Sequence, residues 1–145
     1  MSLTYSFKKP YIMGNCSPLQ TSNRIKPCIL IIDDDKNILK TLSKLLEKAG
    51  YAVTTAETGQ EALEKIKNQN YNVALIDVKL QDINGLNLLN QIHKIVPNMV
   101  KIILTGHASD EDMALAFEHG AIDYLIKPVK TEKLIKVIQN CLEST

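Results

Sequence analysis

Four apolar residues running straight into a carboxylate, Val73-Ala74-Leu75-Ile76-Asp77, restrict this chain more than any other stretch. The run shows no polar alternation, so as a strand it must be buried on both faces. Strands of that kind belong to parallel sheets covered by helices on each side. In such sheets the ligand site lies just beyond the carboxyl ends of the strands. Asp77 is therefore a charged group delivered to the edge where chemistry concentrates.

The same pattern recurs along the chain. Cys28-Ile29-Leu30-Ile31-Ile32 runs into Asp33-Asp34-Asp35, Val100 to Leu104 runs into Thr105-Gly106-His107, and Asp123 to Ile126 runs into Lys127-Pro128. A shorter strand, rich in Val and Thr, spans Tyr51 to Ala56. Helical spacing fills the intervals. Ile38, Leu42, Leu45, Leu46 and Ala49 define one helix, stopped by Gly50. Thr58-Gly59-Gln60-Glu61 has capping-box spacing and starts another, with Ala62, Leu63 and Ile66 facing in. Asn84-Gly85 turns into a helix bearing Leu86, Leu88, Leu89, Ile92 and Ile95. Ser109 to Asp112 caps a short helix over Met113 to Glu118, stopped by Gly120. A final helix points Leu134, Val137, Ile138 and Cys141 inward. Five βα units in a row predict an α/β fold, a doubly wound five-stranded parallel sheet with right-handed crossovers. Residues 1–26 carry Pro10, Gly14 and Pro18 without an apolar period and read as a flexible N-terminal extension, with Tyr5, Phe7, Tyr11 and Ile12 as its only docking candidates. The domain then occupies residues 27–145.

Composition narrows the function classes. A net charge of +1 over 145 residues gives no broad polyanion-binding surface, so direct nucleic-acid binding is not expected. No apolar run approaches the length of a membrane span, and no signal-peptide core follows Lys8 and Lys9. The three cysteines, Cys16, Cys28 and Cys141, are odd in number and match no metal motif. Reduced thiols in a cytoplasmic protein are expected.

In a parallel sheet the residues after each strand meet at one edge: Asp33 and Asp34, Asp77, Thr105 and Lys127. Clustered carboxylates repel one another unless a cation lies among them. An oxygen-only ligand set selects a hard ion, and Mg²⁺ pairs one or two carboxylates with phosphate oxygens. An Asp carboxylate can itself be the nucleophile and form an aspartyl phosphate. Lys127 and the cation would offset the phosphoryl charge, and Thr105 would hydrogen-bond the phosphate.

With these residues placed, the chain from about Pro27 to Glu143 resembles a response-regulator receiver domain of two-component signalling. The motifs that carry the resemblance are Ile31-Ile32-Asp33-Asp34-Asp35, Leu75-Ile76-Asp77-Val78-Lys79-Leu80, Leu104-Thr105-Gly106 and Asp123-Tyr124-Leu125-Ile126-Lys127-Pro128. The resemblance implies the flavodoxin-like strand order 2-1-3-4-5. It implies that Asp77 is the phosphoacceptor, that Asp34 binds the metal directly and Asp33 through water, and that the Lys79 carbonyl is a third protein ligand. Thr105 and Lys127 become phosphate contacts, and Tyr124 the aromatic switch that follows Thr105. The implied donor is a phosphohistidine on a sensor histidine kinase or phosphotransfer protein. A homodimer through the last two helices is a further possibility.

The chain departs from the family pattern in places. Gln81 stands where the family often has Pro, which predicts a more mobile loop. Ile122-Asp123 replaces the Asp-Asp of regulators with winged-helix outputs, which puts their dimer contacts in doubt. Lys79 and His107 occupy positions that tune phosphoryl lifetime.

Three other readings compete with the phosphorylation switch itself. A stand-alone phosphorelay shuttle uses the same residues. A haloacid-dehalogenase-type phosphatase would use Asp33-x-Asp35, but the Thr expected after that motif is absent. A flavin carrier would need a Ser/Thr/Gly-rich first loop, and here that loop is acidic. Asp35 reads as a helix N-cap. His93 and His119 read as solvent-facing.

Overall fold

The computed structural model describes residues 25–144. The expectations for the N-terminal extension, including Cys16 and the docking candidates Tyr5, Phe7, Tyr11 and Ile12, fall outside this range except for Ile25 and Lys26, which are exposed and outside any helix or strand. Ten elements alternate along the chain: β1 (Cys28–Ile32), α1 (Lys36–Lys48), β2 (Ala52–Ala56), α2 (Gly59–Asn68), β3 (Val73–Ile76), α3 (Gly85–Ile95), β4 (Val100–Thr105), α4 (Asp110–Glu118), β5 (Asp123–Ile126) and α5 (Thr131–Glu143). The five strands are parallel and lie in the order β2-β1-β3-β4-β5. This is the 2-1-3-4-5 order that the resemblance implied.

The unbroken apolar runs serve two faces because successive side chains on a strand point to opposite sides. Leu30, Ile32, Ala74, Ile76 and Ile103 pack under α2, α3 and α4 with Ala62, Ile66, Leu88, Leu89, Ile92 and Ala116. Ile29, Ile31, Leu75, Ile102 and Leu104 pack under α1 and α5 with Leu39, Leu46, Leu134 and Ile138. Cys28 is buried in β1 and Cys141 half-buried on α5. Among the described residues no helix is long and apolar enough to cross a membrane.

Helix starts follow side-chain chemistry. Asp35 caps α1 by accepting from the N–H groups of Asn37 and Ile38, as predicted. Thr58 caps α2 by accepting from Glu61 N at 3.0 Å. Glu61 reaches back to Glu57 N at 2.8 Å rather than to the cap residue itself. Asn84 caps α3 and Ser109 caps α4. Gly50 and Gly120 follow α1 and α4 in the left-handed region, as predicted.

Four details correct the sequence reading. The second strand starts at Ala52, with Tyr51 buried just before it. On α1 the fully covered residues are Leu39 and Leu46, while Ala49 is exposed at the C-cap. On α3 Ile95 is 42% exposed; it is the last helical residue, and Val96 packs against the core in its place. α4 starts at Asp110, because Asp110, Glu111 and Asp112 form its acidic first turn and carboxylates favour that end of a helix.

Candidate phosphoacceptor and cation site

The site is built by strand ends. Ile32 of β1 pairs with Ile76 of β3, so Asp33 and Asp77 leave the sheet at the same level on neighbouring strands. The pairing continues outward: Asp77 N donates to Ile32 O at 3.0 Å and Asp33 N to Ala56 O at 3.1 Å. On the other side, Ile76 pairs with Ile103 of β4, and Thr105 lies two residues further along that strand, opposite Ile126 of β5. Lys127 then donates its backbone N–H to Thr105 O at 2.7 Å.

Side chains converge from these positions. Asp33, Asp34 and Asp77 offer carboxylate oxygens that all lie within 4.8 Å of one another. Lys127 Nζ sits 2.7 Å from Asp33 Oδ2 and 3.5 Å from Asp77 Oδ1. Asp33 and Asp77 are only 3% and 8% exposed, and Thr105 is fully buried. Asp34 is half-buried and more open to solvent. Asp33 also accepts from Asp35 N at 2.9 Å, which fixes its rotamer and turns the chain into α1.

Burial and the neighbouring Asp33 charge push the Asp77 carboxyl above its ordinary range, against the pull of Lys127 and of the Lys79 backbone N–H. Three carboxylates thus face one ammonium. An all-oxygen cluster with unbalanced negative charge suits a hard divalent cation. The residues present fit such an ion.

Thr105 Oγ1 accepts from His107 N at 3.1 Å, so its hydroxyl is presently tied to the loop that follows β4. Tyr124 is buried beside Ile103 in the α2–α3–α4 core. Its hydroxyl is buried without a hydrogen-bond partner among the described residues. A buried, unsatisfied hydroxyl marks a side chain whose packed position carries an energetic cost.

Three features were not read from the sequence. Gly85 is one. A Cβ there would overlap the carbonyl oxygen of Asp77 and the Cα of Val78, so α3 starts directly against the Asp77 main chain. Asn84-Gly85 was legible as a turn, but the partner in this close approach was not. The second is Asp82, which meets the first turn of α2. The loop with Gln81 in place of Pro is thereby hydrogen-bonded to α2. The third is Lys101, 1% exposed within β4. Its Nζ lies 2.8 Å from His93 Nδ1 and donates to Val96 O at 3.4 Å and Pro97 O at 3.1 Å. His93 is therefore engaged and half-buried rather than solvent-facing, and His119 is half-buried at the α4 C-cap.

Comparison with known proteins points one way. Residues 29–139 match the response regulator receiver domain family. The chain is 35% identical over 117 residues to the transcriptional regulatory protein GlrR of Escherichia coli (strain K12), an alignment that covers 81% of this chain and 26% of that protein. It spans about a quarter of the length of several of the curated relatives it matches. The crystal structure of a CheY-like response regulator receiver domain protein from Methanospirillum hungatei JF-1 superposes with a TM-score of 0.81 at 42% identity, covering 82% of this chain and 95% of that one. A response regulator protein from Burkholderia pseudomallei, with a phosphorylated aspartic acid, calcium ion and citrate, superposes with a TM-score of 0.75 at 32% identity. That match covers 82% of this chain and 71% of the other.

Proposed function

The chain belongs to the response regulator receiver domain family, and on that premise we propose that it accepts a phosphoryl group on Asp77 and signals through the change that follows. The observation that carries this reading is the convergence of Asp33, Asp34 and Asp77 within 4.8 Å, with Lys127 Nζ 3.5 Å from Asp77. An Asp77 oxygen forms the new P–O bond while the P–N bond to a phosphohistidine of a sensor kinase or phosphotransfer protein breaks. Asp34, Asp77 and the Lys79 carbonyl, with Asp33 through water, would hold Mg²⁺, which would supply charge neutralisation at the phosphoryl oxygens when bound. Lys127 supplies a fixed positive charge on the Asp33 side. The calcium ion and phosphorylated aspartic acid of the Burkholderia protein support both assignments by analogy.

The output follows from Thr105 and Tyr124. A phosphoryl group adds about −1.5 to −2 charges and three acceptor oxygens. It offers the Thr105 O–H an acceptor, whereas His107 N–H only donates to Thr105 Oγ1, and Tyr124 lies on the neighbouring strand beside Ile103. The surface formed by α4, β5 and α5 then differs between the two states. A homodimer through that surface, a cytoplasmic location and a role as a stand-alone relay shuttle are compatible with this chemistry.

The test is incubation with Mg²⁺ and acetyl phosphate, read by intact mass. Wild-type protein gains one phosphoryl group, and Asp77→Asn gains none. Beryllofluoride in place of acetyl phosphate shifts NMR signals of the wild type only. A folded wild-type protein that responds to neither reagent overturns the assignment. Phosphomonoester turnover that survives Asp77→Asn but is lost in Asp33→Asn restores the phosphatase reading.

A further inference from the structure

The loop from β3 to α3, residues 78–84, is closed on itself and bolted to a neighbour. Lys79 and Asn84 form an antiparallel bridge. Gly85 N donates to Val78 O at 2.7 Å, and Asn84 Oδ1 accepts from Leu86 N at 2.7 Å. These bonds make the loop a compact unit, though they fix it only to α3.

The tie to the rest of the molecule comes from Asp82. Its Oδ1 accepts from Gly59 N at 2.9 Å and its Oδ2 from Gln60 N at 3.0 Å. Those amides open α2 and have no partner within the helix. The amino end of a helix also favours negative charge. The two N–H groups hold the Asp82 carboxyl below its ordinary range. Next to it, the Ile83 side chain occupies the space that a Cβ on Gly59 would need. A bidentate polar contact and an apolar one thus join loop to helix over two consecutive residues on each side.

This joint lies three residues from Lys79, whose backbone N–H favours the charged form of the Asp77 carboxyl. Gln81 leaves the loop without the fixed φ that a Pro would give it. A site that binds a cation and a phosphoryl group needs its main chain held to within about 0.5 Å. We infer that Asp82 is a positioning residue, a carboxylate that pins the phosphoacceptor loop to the first turn of α2 and so fixes the Lys79 backbone against the acidic cluster. This inference rests on the phosphoacceptor reading above.

The test compares wild type with Asp82→Ala, Asp82→Asn and Thr58→Ala. Thr58→Ala removes a cap from the same helix without touching the loop. Three quantities are measured on each protein: the Mg²⁺ dissociation constant by calorimetric titration, hydrogen exchange of the Lys79 and Leu80 amides without metal, and the melting temperature. Asp82→Ala should weaken Mg²⁺ binding about tenfold, the lower end for loss of a supporting contact, and speed exchange at both amides. Asp82→Asn keeps one acceptor and should recover part of each loss. Thr58→Ala should lower the melting temperature while leaving the other two readouts at wild-type values. If Asp82→Ala behaves like Thr58→Ala in all three, the clamp is only a helix cap and the inference fails. If wild type binds no Mg²⁺, the phosphoacceptor reading is what fails. In that event exchange alone decides the clamp, and unchanged protection overturns it.

Discussion

Two lysines sit at opposite ends of the same sheet and are satisfied in opposite ways. Lys127, beyond the carboxyl end of β5, faces Asp33 at 2.7 Å and Asp77 at 3.5 Å. Lys101, near the amino end of β4, faces a histidine nitrogen and two main-chain carbonyls. At the first end charge meets charge, with carboxylates in excess. Such a cluster is poised to take up a cation or an incoming group. At the second end three neutral acceptors match the three hydrogens of one ammonium. That arrangement is closed, so it fastens the end of α3 to β4 and attracts nothing. Gly120 completes it, since a Cβ there would overlap the His93 ring. Burial alone therefore does not mark a lysine as functional. The sign and number of its partners do.

Lys127→Met should break the comparison most visibly. Phosphorylation by acetyl phosphate should slow about 100-fold, the usual cost of deleting one stabiliser of transition-state charge. Lys101→Met should leave that rate near wild type, because the two sites lie at opposite ends of the sheet. Equal losses in the two variants would dissolve the distinction. Stability should show the reverse emphasis for the lower lysine. Lys101→Met orphans His93 Nδ1 and two carbonyls and should cost about 1–3 kcal/mol in urea unfolding.

The pH dependence of stability sharpens the contrast, because the two ends have opposite slopes. Folding raises the Asp77 carboxyl above its ordinary value. Over the interval between the two values the folded chain holds a proton that the unfolded chain has released, so stability falls as pH rises. Burial pushes Lys101 down from 10.5 to about 8. Between those values the unfolded chain holds the extra proton, so stability rises with pH. The charge of Lys101 also holds His93 below its ordinary 6.5, so as pH falls below 6.5 the unfolded chain takes up the proton first and stability falls. Denaturation in metal-free buffer across pH should lose the falling acid contribution in Asp77→Asn, leaving the rising one of Asp82 and Glu61, and should lose the rising alkaline contribution in Lys101→Met, leaving the falling one of Tyr51 and Cys141. The smallest effect belongs to a polar group with no hydrogen-bond partner among the described residues. Tyr124→Phe removes the buried, unpaired hydroxyl and should stabilise by up to about 1 kcal/mol, read as a shifted urea midpoint.

The two ends also differ in how far they could be read from the chain. Asp33, Asp34, Asp77, Thr105 and Lys127 each follow an apolar run, and strict βα alternation places all such positions at one edge. The sheet order came from the resemblance those residues carry. Lys101 gave no such signal. A lysine inside a strand reads as solvent-facing, and two of its three partners are backbone atoms that carry no side-chain signature. His93 was misread for the same reason, since its partner lies on another element. Ile95 kept the apolar period of α3 but fell where the helix ends, and periodicity does not mark that boundary. Asp82 looked like an ordinary polar loop residue, because the amides it accepts from lie over twenty positions upstream.

The backbone bond from Lys127 N to Thr105 O has a consequence for how a covalent mark could be transmitted. On the phosphoacceptor reading the hydroxyl and the ammonium come to the acidic edge from separate strands, and each alone would be an independent detector. A 2.7 Å bond joins their main chains where the two strands end. On that reading a pull on Thr105 would be passed through this bond to Lys127, and the reverse. Two detectors wired in parallel would permit graded, partly contradictory outputs. On the phosphoacceptor reading this pair would act as a single lever, and a lever has one reading at a time.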